Sequence, residues 1–195
     1  MLVVVRSDID TVVATHVTAE ELECLEDDGY RYDLLAGELI RGSPAGFDHG
    51  RIAARIAARL VTFLDSHPEM GVAVGAETGF RLARDPDTVL GPDAAVVRPE
   101  RLPPADQRRG YLELAPDLVV EIVSPTDRWT TVSEKVDAYL AAGVTLVWVV
   151  EPRARAVRVY TPAGTERRLR AETGDILEAE PVLPGFRLGL LDLFD

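Results

Sequence analysis

The sequence predicts a single mixed α/β domain, and three observations predict it. Two apolar runs, "DLVVEIV" at 117–123 and "VTLVWVV" at 144–150, bracket one helix-patterned segment, the signature of a right-handed β-α-β unit with parallel strands. A second helix-patterned segment, "FDHGRIAARIAARLVTFLD", spaces Ile52, Ile56, Leu60 and Leu64 four apart. Finally, 195 residues suit one domain with its own core, and no repeat, low-complexity tract or linker divides the chain.

The elements follow in order. Residues 1–17 read as an extended lead-in, an N-terminal extension before a domain spanning 18–195. Thr18 and Glu21 form a capping box that opens a short acidic helix in "TAEELECLEDD". "YRYDLLAGELIRG" reads as two short strands around an Ala36-Gly37 turn. The amphipathic helix after it stops at Pro68, and its other face carries Arg51, Arg55 and Arg59. "GVAVGAETGFRLA" and "GPDAAVVRP" are strand candidates separated by the turn-forming "RDPDTVLG". A polar, Pro-containing loop leads to strand 117–123. Helix 131–142 is predicted from a second capping box, Thr131 with Glu134, to Gly143, and strand 144–150 follows. "AVRVYTP" adds a strand, and "PVLPGFRLGLLDLFD" an extended closure.

Composition narrows the function classes. A 47% hydrophobic and 28% charged chain is an ordinary globular one, and no segment approaches the roughly 20 apolar residues of a membrane span. With Cys24 as its one cysteine the chain has no internal disulfide, and with no signal-peptide pattern the expected location is the cytoplasm. A formal net charge of −12 argues against general nucleic-acid affinity, which rests on Lys and Arg neutralising phosphates, but leaves room for a local basic track. Lys135 is the only lysine; the other basic residues are all arginine.

Three residues carry the chemistry. Glu121 puts a carboxylate inside an otherwise apolar strand, where an unpaired charge costs several kcal/mol, so a positive partner is expected. Asp93 opens another strand after Pro92. If the two strands are neighbours, the acids converge, repel, and call for a divalent cation. Hard oxygen ligands select Mg²⁺ or Mn²⁺, and there is no Cys/His cluster for zinc. Lys135, placed in the first turn of its helix by the Thr131 cap, stands where the macrodipole disfavours a cation by about 0.3–1 kcal/mol. A point charge there could orient a water and stabilise negative charge developing on a phosphate. Each has a structural alternative: a turn for Asp93, an ion pair with an arginine such as Arg98 for Glu121, a solvated helix charge for Lys135. The arginine face is more simply a solvated one than a phosphate track, and Glu77 a surface strand residue. Ser124 lacks a glycine elbow, and "GVAVGAETG" lacks a phosphate-binding lysine, so neither signals a nucleophile or a nucleotide site.

"YDLLAGELIRGSP", "DHGRIAARI", "GPDAAVV", "VVEIVSPTD" and "EKVDAYLAAGVTLVWVV", in this order, resemble the bacterial Uma-type "putative restriction endonuclease" family, once filed as a domain of unknown function, within the PD-(D/E)XK nuclease superfamily. The resemblance covers about residues 18–185. It implies a restriction-endonuclease-like core with a mixed sheet flanked by helices, a metal site on Asp93 and Glu121, and hydrolysis of DNA phosphodiester bonds, often by a homodimer. The superfamily lysine two residues after the glutamate is Val123 here; Lys135 occupies the family's displaced position. Glu38 and His49 match further polar positions and are implied as accessory site residues. Two other functions stay open: a non-catalytic nucleic-acid-binding or assembly protein on the same scaffold, which the acidic charge favours, and a hydrolase of small phosphoesters.

Overall fold

The computed structural model describes residues 11–42, 44–76, 78–164 and 166–195, so Glu77 and the first ten residues of the lead-in lie outside it. Its frame is a six-stranded sheet, built around the predicted β-α-β unit, and a five-stranded antiparallel sheet beside it.

The five-stranded sheet comes first in the chain. Strand β1 (Thr11–Ala14) is followed by helix α1 (Ala19–Glu23), whose capping box is made as predicted by Thr18 and Glu21. Strands β2 (Arg31–Leu35) and β3 (Glu38–Gly42) pair around Ala36-Gly37, both at positive φ. Helix α2 spans Phe47–Asp65. Strands β4 (Val72–Gly75), β5 (Phe80–Ala83), β6 (Thr88–Leu90) and β7 (Ala94–Val97) follow. One sheet then has the order β1-β3-β2-β6-β5. The stretch read as a turn thus contains β6, whose three residues are all buried. Buried Asp87 closes the bend before it, accepting two bonds from Arg81 and one from the Ala19 amide.

Strand β8 (Leu118–Ile122), helix α3 (Trp129–Ala141) and strand β9 (Leu146–Glu151) form the predicted unit, and β8 and β9 pair in parallel. Strands β10 (Ala156–Tyr160) and β11 (Glu166–Arg170) extend the second sheet to β11-β10-β9-β8-β7-β4. Alternation along β8 sorts its side chains onto two faces. Leu118, Val120 and Ile122 pack with Ile52, Ile56, Leu60 and Leu64 of α2, whereas Val119 packs with Val132, Val136 and Tyr139 of α3.

Two predictions are corrected. Helix α3 begins after Arg128, three residues before Thr131, and Arg128 makes no side-chain cap. Lys135 therefore stands in the second turn, where the unfavourable field of the helix N-terminus has faded. The C-terminal stretch is not merely extended: β12 (Ile176–Ala179) and β13 (Leu183–Gly189) form a two-stranded sheet, and α4 (Leu190–Phe194) ends the chain. Its Leu190, Leu193 and Phe194 join the core on the α2 side. The arginine face of α2 is part of this docking. Arg51 donates to the Phe194 carbonyl at 2.9 Å and Arg55 to the Asp192 carbonyl at 2.8 Å, satisfying acceptors that a helix end leaves open. Arg59 is exposed.

Candidate active site at the joint of two sheets

The chain passes from one sheet to the other through Gly91-Pro92-Asp93, between β6 and β7. Antiparallel pairing of β7 with β8 puts Ala94 opposite Val120, so Asp93, just before β7, lies beside the far end of β8, which carries Glu121. The register itself delivers the two acids to one place. Asp93 Oδ2 accepts the Ile122 amide at 2.7 Å and lies 3.3 Å from His49 Nε2; Arg31 Nη1 is 3.5 Å from Oδ1. Burial opposes ionisation of Asp93, but His49, Arg31 and the Ile122 amide outweigh it and hold its carboxyl below the usual carboxylate range. Burial likewise works against a charged His49, and Asp93 overcomes it, raising the imidazole above its ordinary value.

Glu121 is on the α3 face. There its Oε1 accepts the Tyr139 hydroxyl at 2.7 Å. Burial pushes its carboxyl up to about 7; Lys135 pulls it down, while Asp93 and Asp33 add to the upward push. Burial and the same acids raise the Tyr139 phenol well above 10, so it stays a neutral donor. Lys135 and Tyr139 are one helical turn apart on α3 and share a face. Lys135 Nζ is 2.5 Å from Asp33 Oδ2, and Asp33 Oδ1 accepts the Gly91 amide at 3.0 Å. The ammonium is therefore held by an acid from the opposite sheet.

Asp93, Glu121, Lys135 and His49 line one small cavity of 60 Å³, with room for about two waters. Glu38 does not: it is exposed at the start of β3, where it pairs with Leu35 beside the hairpin turn. Arg98 is not the partner of Glu121, since it belongs with Arg101 to buried Asp117. Sequence reasoning missed Asp33, Arg31, Asp127 and Tyr139, which also border the site or support it. Asp33 carried a usable signal, a charge among apolar residues in "YDLL", the same anomaly that marked Glu121.

The cavity's donor set suits a hard cation. Four carboxylates, of Asp33, Asp93, Glu121 and Asp127, face the two permanent cations Arg31 and Lys135 and the His49 imidazole. Burial first, and Asp93 and Asp33 after it, push the Glu121 carboxyl up to about 7 against the pull of Lys135. Asp33 anchors Lys135, and Asp93 and Glu121, which the β7–β8 register sets side by side, are the candidate ligands. Among the described residues no three His, Cys, Asp or Glu side chains form a ready metal cluster. Two carboxylates completed by waters and substrate oxygens are the usual way a protein holds Mg²⁺.

Comparison with known proteins shows the family and the fold. The family Uma2, described as "Putative restriction endonuclease", matches residues 19–192. The chain belongs to this family. A crystal structure of "a putative nuclease belonging to DUF820" from Anabaena variabilis is similar at a TM-score of 0.81 and 20% identity, over 91% of this chain and 97% of that one, which establishes the shared fold. No curated protein matches the chain. The Uma2 match makes this a member of a restriction-endonuclease-like nuclease family, and no helix among the described residues is long and apolar enough to cross a membrane.

Proposed function

We propose that this Uma2 protein is a Mg²⁺- or Mn²⁺-dependent endonuclease hydrolysing DNA phosphodiester bonds at the joint of its two sheets. The observation that carries the reading is the convergence of Asp93 and Glu121, from neighbouring strands, with Lys135 on one small cavity. Asp93 and Glu121 would hold the metal, which when bound supplies Lewis acidity and a water of lowered pKa. The chain's own residues do the rest. The Ile122 amide and His49 hold Asp93 ionised and fixed in direction, and Tyr139 sets the orientation of Glu121. Lys135, anchored on Asp33, places a positive charge where the phosphate gains negative charge as water attacks and the P–O bond breaks. Glu38 is exposed and does not line this cavity, so it is given no role. Within the chain, Arg158 lies 4.4 Å over the Trp129 ring, and the apolar C-terminal tail packs in the core.

Asp93→Asn tests the reading better than alanine would. Alanine strands the Ile122 amide and two cations, and unfolding would be confused with loss of chemistry. The expected result is plasmid cleavage by the wild type with Mg²⁺ or Mn²⁺, none with chelator, and at least a hundredfold less by Asp93→Asn, the scale of losing a group that stabilises the transition state. Cleavage by the variant at the wild-type rate removes Asp93 from the site. DNA binding that never leads to cleavage under any metal would favour the non-catalytic alternative, and turnover of small phosphoesters with indifference to DNA would favour the third.

A further inference from the structure

Two larger cavities adjoin the acidic one and share lining residues with it. The first, 760 Å³, shares His49, Ser124 and Asp127 with the site and is bordered by Phe47, Arg153 and Arg155. The second, 420 Å³, shares Arg31, Asp33 and Gly91 and is bordered by Tyr30, Tyr32 and Tyr111. The shared residues place both cavities against the carboxylates, so that the three outline a path past the acids.

The aromatic residues along it are unusual in their exposure. Phe47 is 85% exposed, at the first position of α2, and Tyr30 is 45% exposed, with the Arg41 guanidinium 4.4 Å over its ring. In a chain with 6% aromatic residues, each of the two larger cavities has an exposed one on its border, Phe47 on the first and Tyr30 on the second. Faces of this kind stack on nucleobases, whereas the bases of a duplex are already stacked and turned inward. The path also explains how a protein of net charge −12 could grip a polyanion. Stacking draws on the π-face of the base and needs few phosphate contacts.

We infer that the substrate strand is unpaired DNA laid along this path, with the scissile phosphate at Asp93 and Glu121 and the flanking bases against Phe47 on one side and Tyr30 on the other. The inference rests on the proposed nuclease reading for its central phosphate, but the strand path can be tested without cleavage. The probe is fluorescein-labelled oligo-thymidylate, followed by anisotropy with Glu121→Gln protein in EDTA, against a labelled duplex of equal length. The single strand is expected to bind at least about tenfold tighter than the duplex, with a salt slope of about −2, corresponding to two or three phosphates. Phe47→Ala and Tyr30→Ala should each weaken it by about 5- to 100-fold, the range seen when one stacked base loses its platform, and Phe47→Trp should keep it. Both side chains are exposed, so the variants should keep the wild-type circular dichroism. Equal or tighter binding of the duplex overturns the inference, as does wild-type affinity in both alanine variants. If the single strand binds as expected but the wild type never cleaves it with Mg²⁺ or Mn²⁺, the nuclease reading falls and the strand path stands. If duplex is cleaved while oligo-thymidylate is not bound, the reverse holds.

Discussion

Glu121→Gln is expected to abolish the proposed cleavage and at the same time to make the protein more stable at pH 8. The two effects have one cause. The Glu121 carboxyl has an ordinary value of 4.5 and is pushed to about 7 in the fold, chiefly by burial. The folded state therefore holds this proton more tightly than the unfolded chain does. Its contribution to stability is complete below pH 4.5 and is lost as pH rises through 7, a loss of about 1–3 kcal/mol by pH 8 after allowance for partial exposure. Glutamine keeps an acceptor for the Tyr139 hydroxyl and carries no charge. Thermal melts should show the variant several degrees above the wild type at pH 8 and level with it near pH 4, at about 2–4 °C per kcal/mol for a chain of this size. Plasmid cleavage should fall at least a hundredfold. A variant that melts below the wild type at pH 8 would show that the fold needs the Glu121 charge, and the excess of acid would be disproved.

Lys135→Ala should be damaging in both respects. It removes the cation from Asp33, and side chains that are 16% and 18% exposed have little water to replace it. Breaking a largely buried pair from one side costs about 3 kcal/mol. The double substitution Lys135→Met with Asp33→Leu should recover much of that loss without restoring cleavage. Lys135→Arg separates the two roles: a guanidinium can still pair with Asp33, but it cannot reproduce a compact ammonium at the same point. Near-normal melting with cleavage reduced at least tenfold is the expected outcome for Lys135→Arg. Full cleavage by Lys135→Ala would show that Lys135 acts only as a structural partner of Asp33.

Much of the fold was legible because its central unit writes its pattern locally. Apolar runs announced β8 and β9, and a four-residue spacing announced α2. What failed was set by tertiary contacts. The Thr131–Glu134 spacing imitates a cap, but the chain turns earlier, where Asp127 accepts the Ser124 amide and donates its own to the Ser124 carbonyl. Strand β11, "ERRLR", is polar but for Leu169 and is held by its pairing with β10. Strand β6 was hidden in a segment rich in turn formers.

The site was legible by the same logic and to the same extent. Asp93, Glu121 and Lys135 each broke a local rule and so stood out, and the structure places all three around one cavity. Asp33 broke the same rule, but its meaning depends on a lysine 102 residues away, a contact no local pattern reveals. Glu38, which the resemblance named, is exposed beside the hairpin turn, while Asp33 of the same hairpin borders the cavity. Tyr139 was masked by its own helix, where a tyrosine among apolar residues reads as core, which it also is.

The most direct measurement is calorimetric titration of Mg²⁺ and Mn²⁺ at pH 7 in two buffers of different ionisation enthalpy. If a divalent ion is what lets two neighbouring acids share one end of the sheets, the wild type binds it and releases a fraction of a proton from Glu121, while Glu121→Gln binds far more weakly and releases none. Equal binding by both proteins, or heat that shows no proton release, would contradict the account.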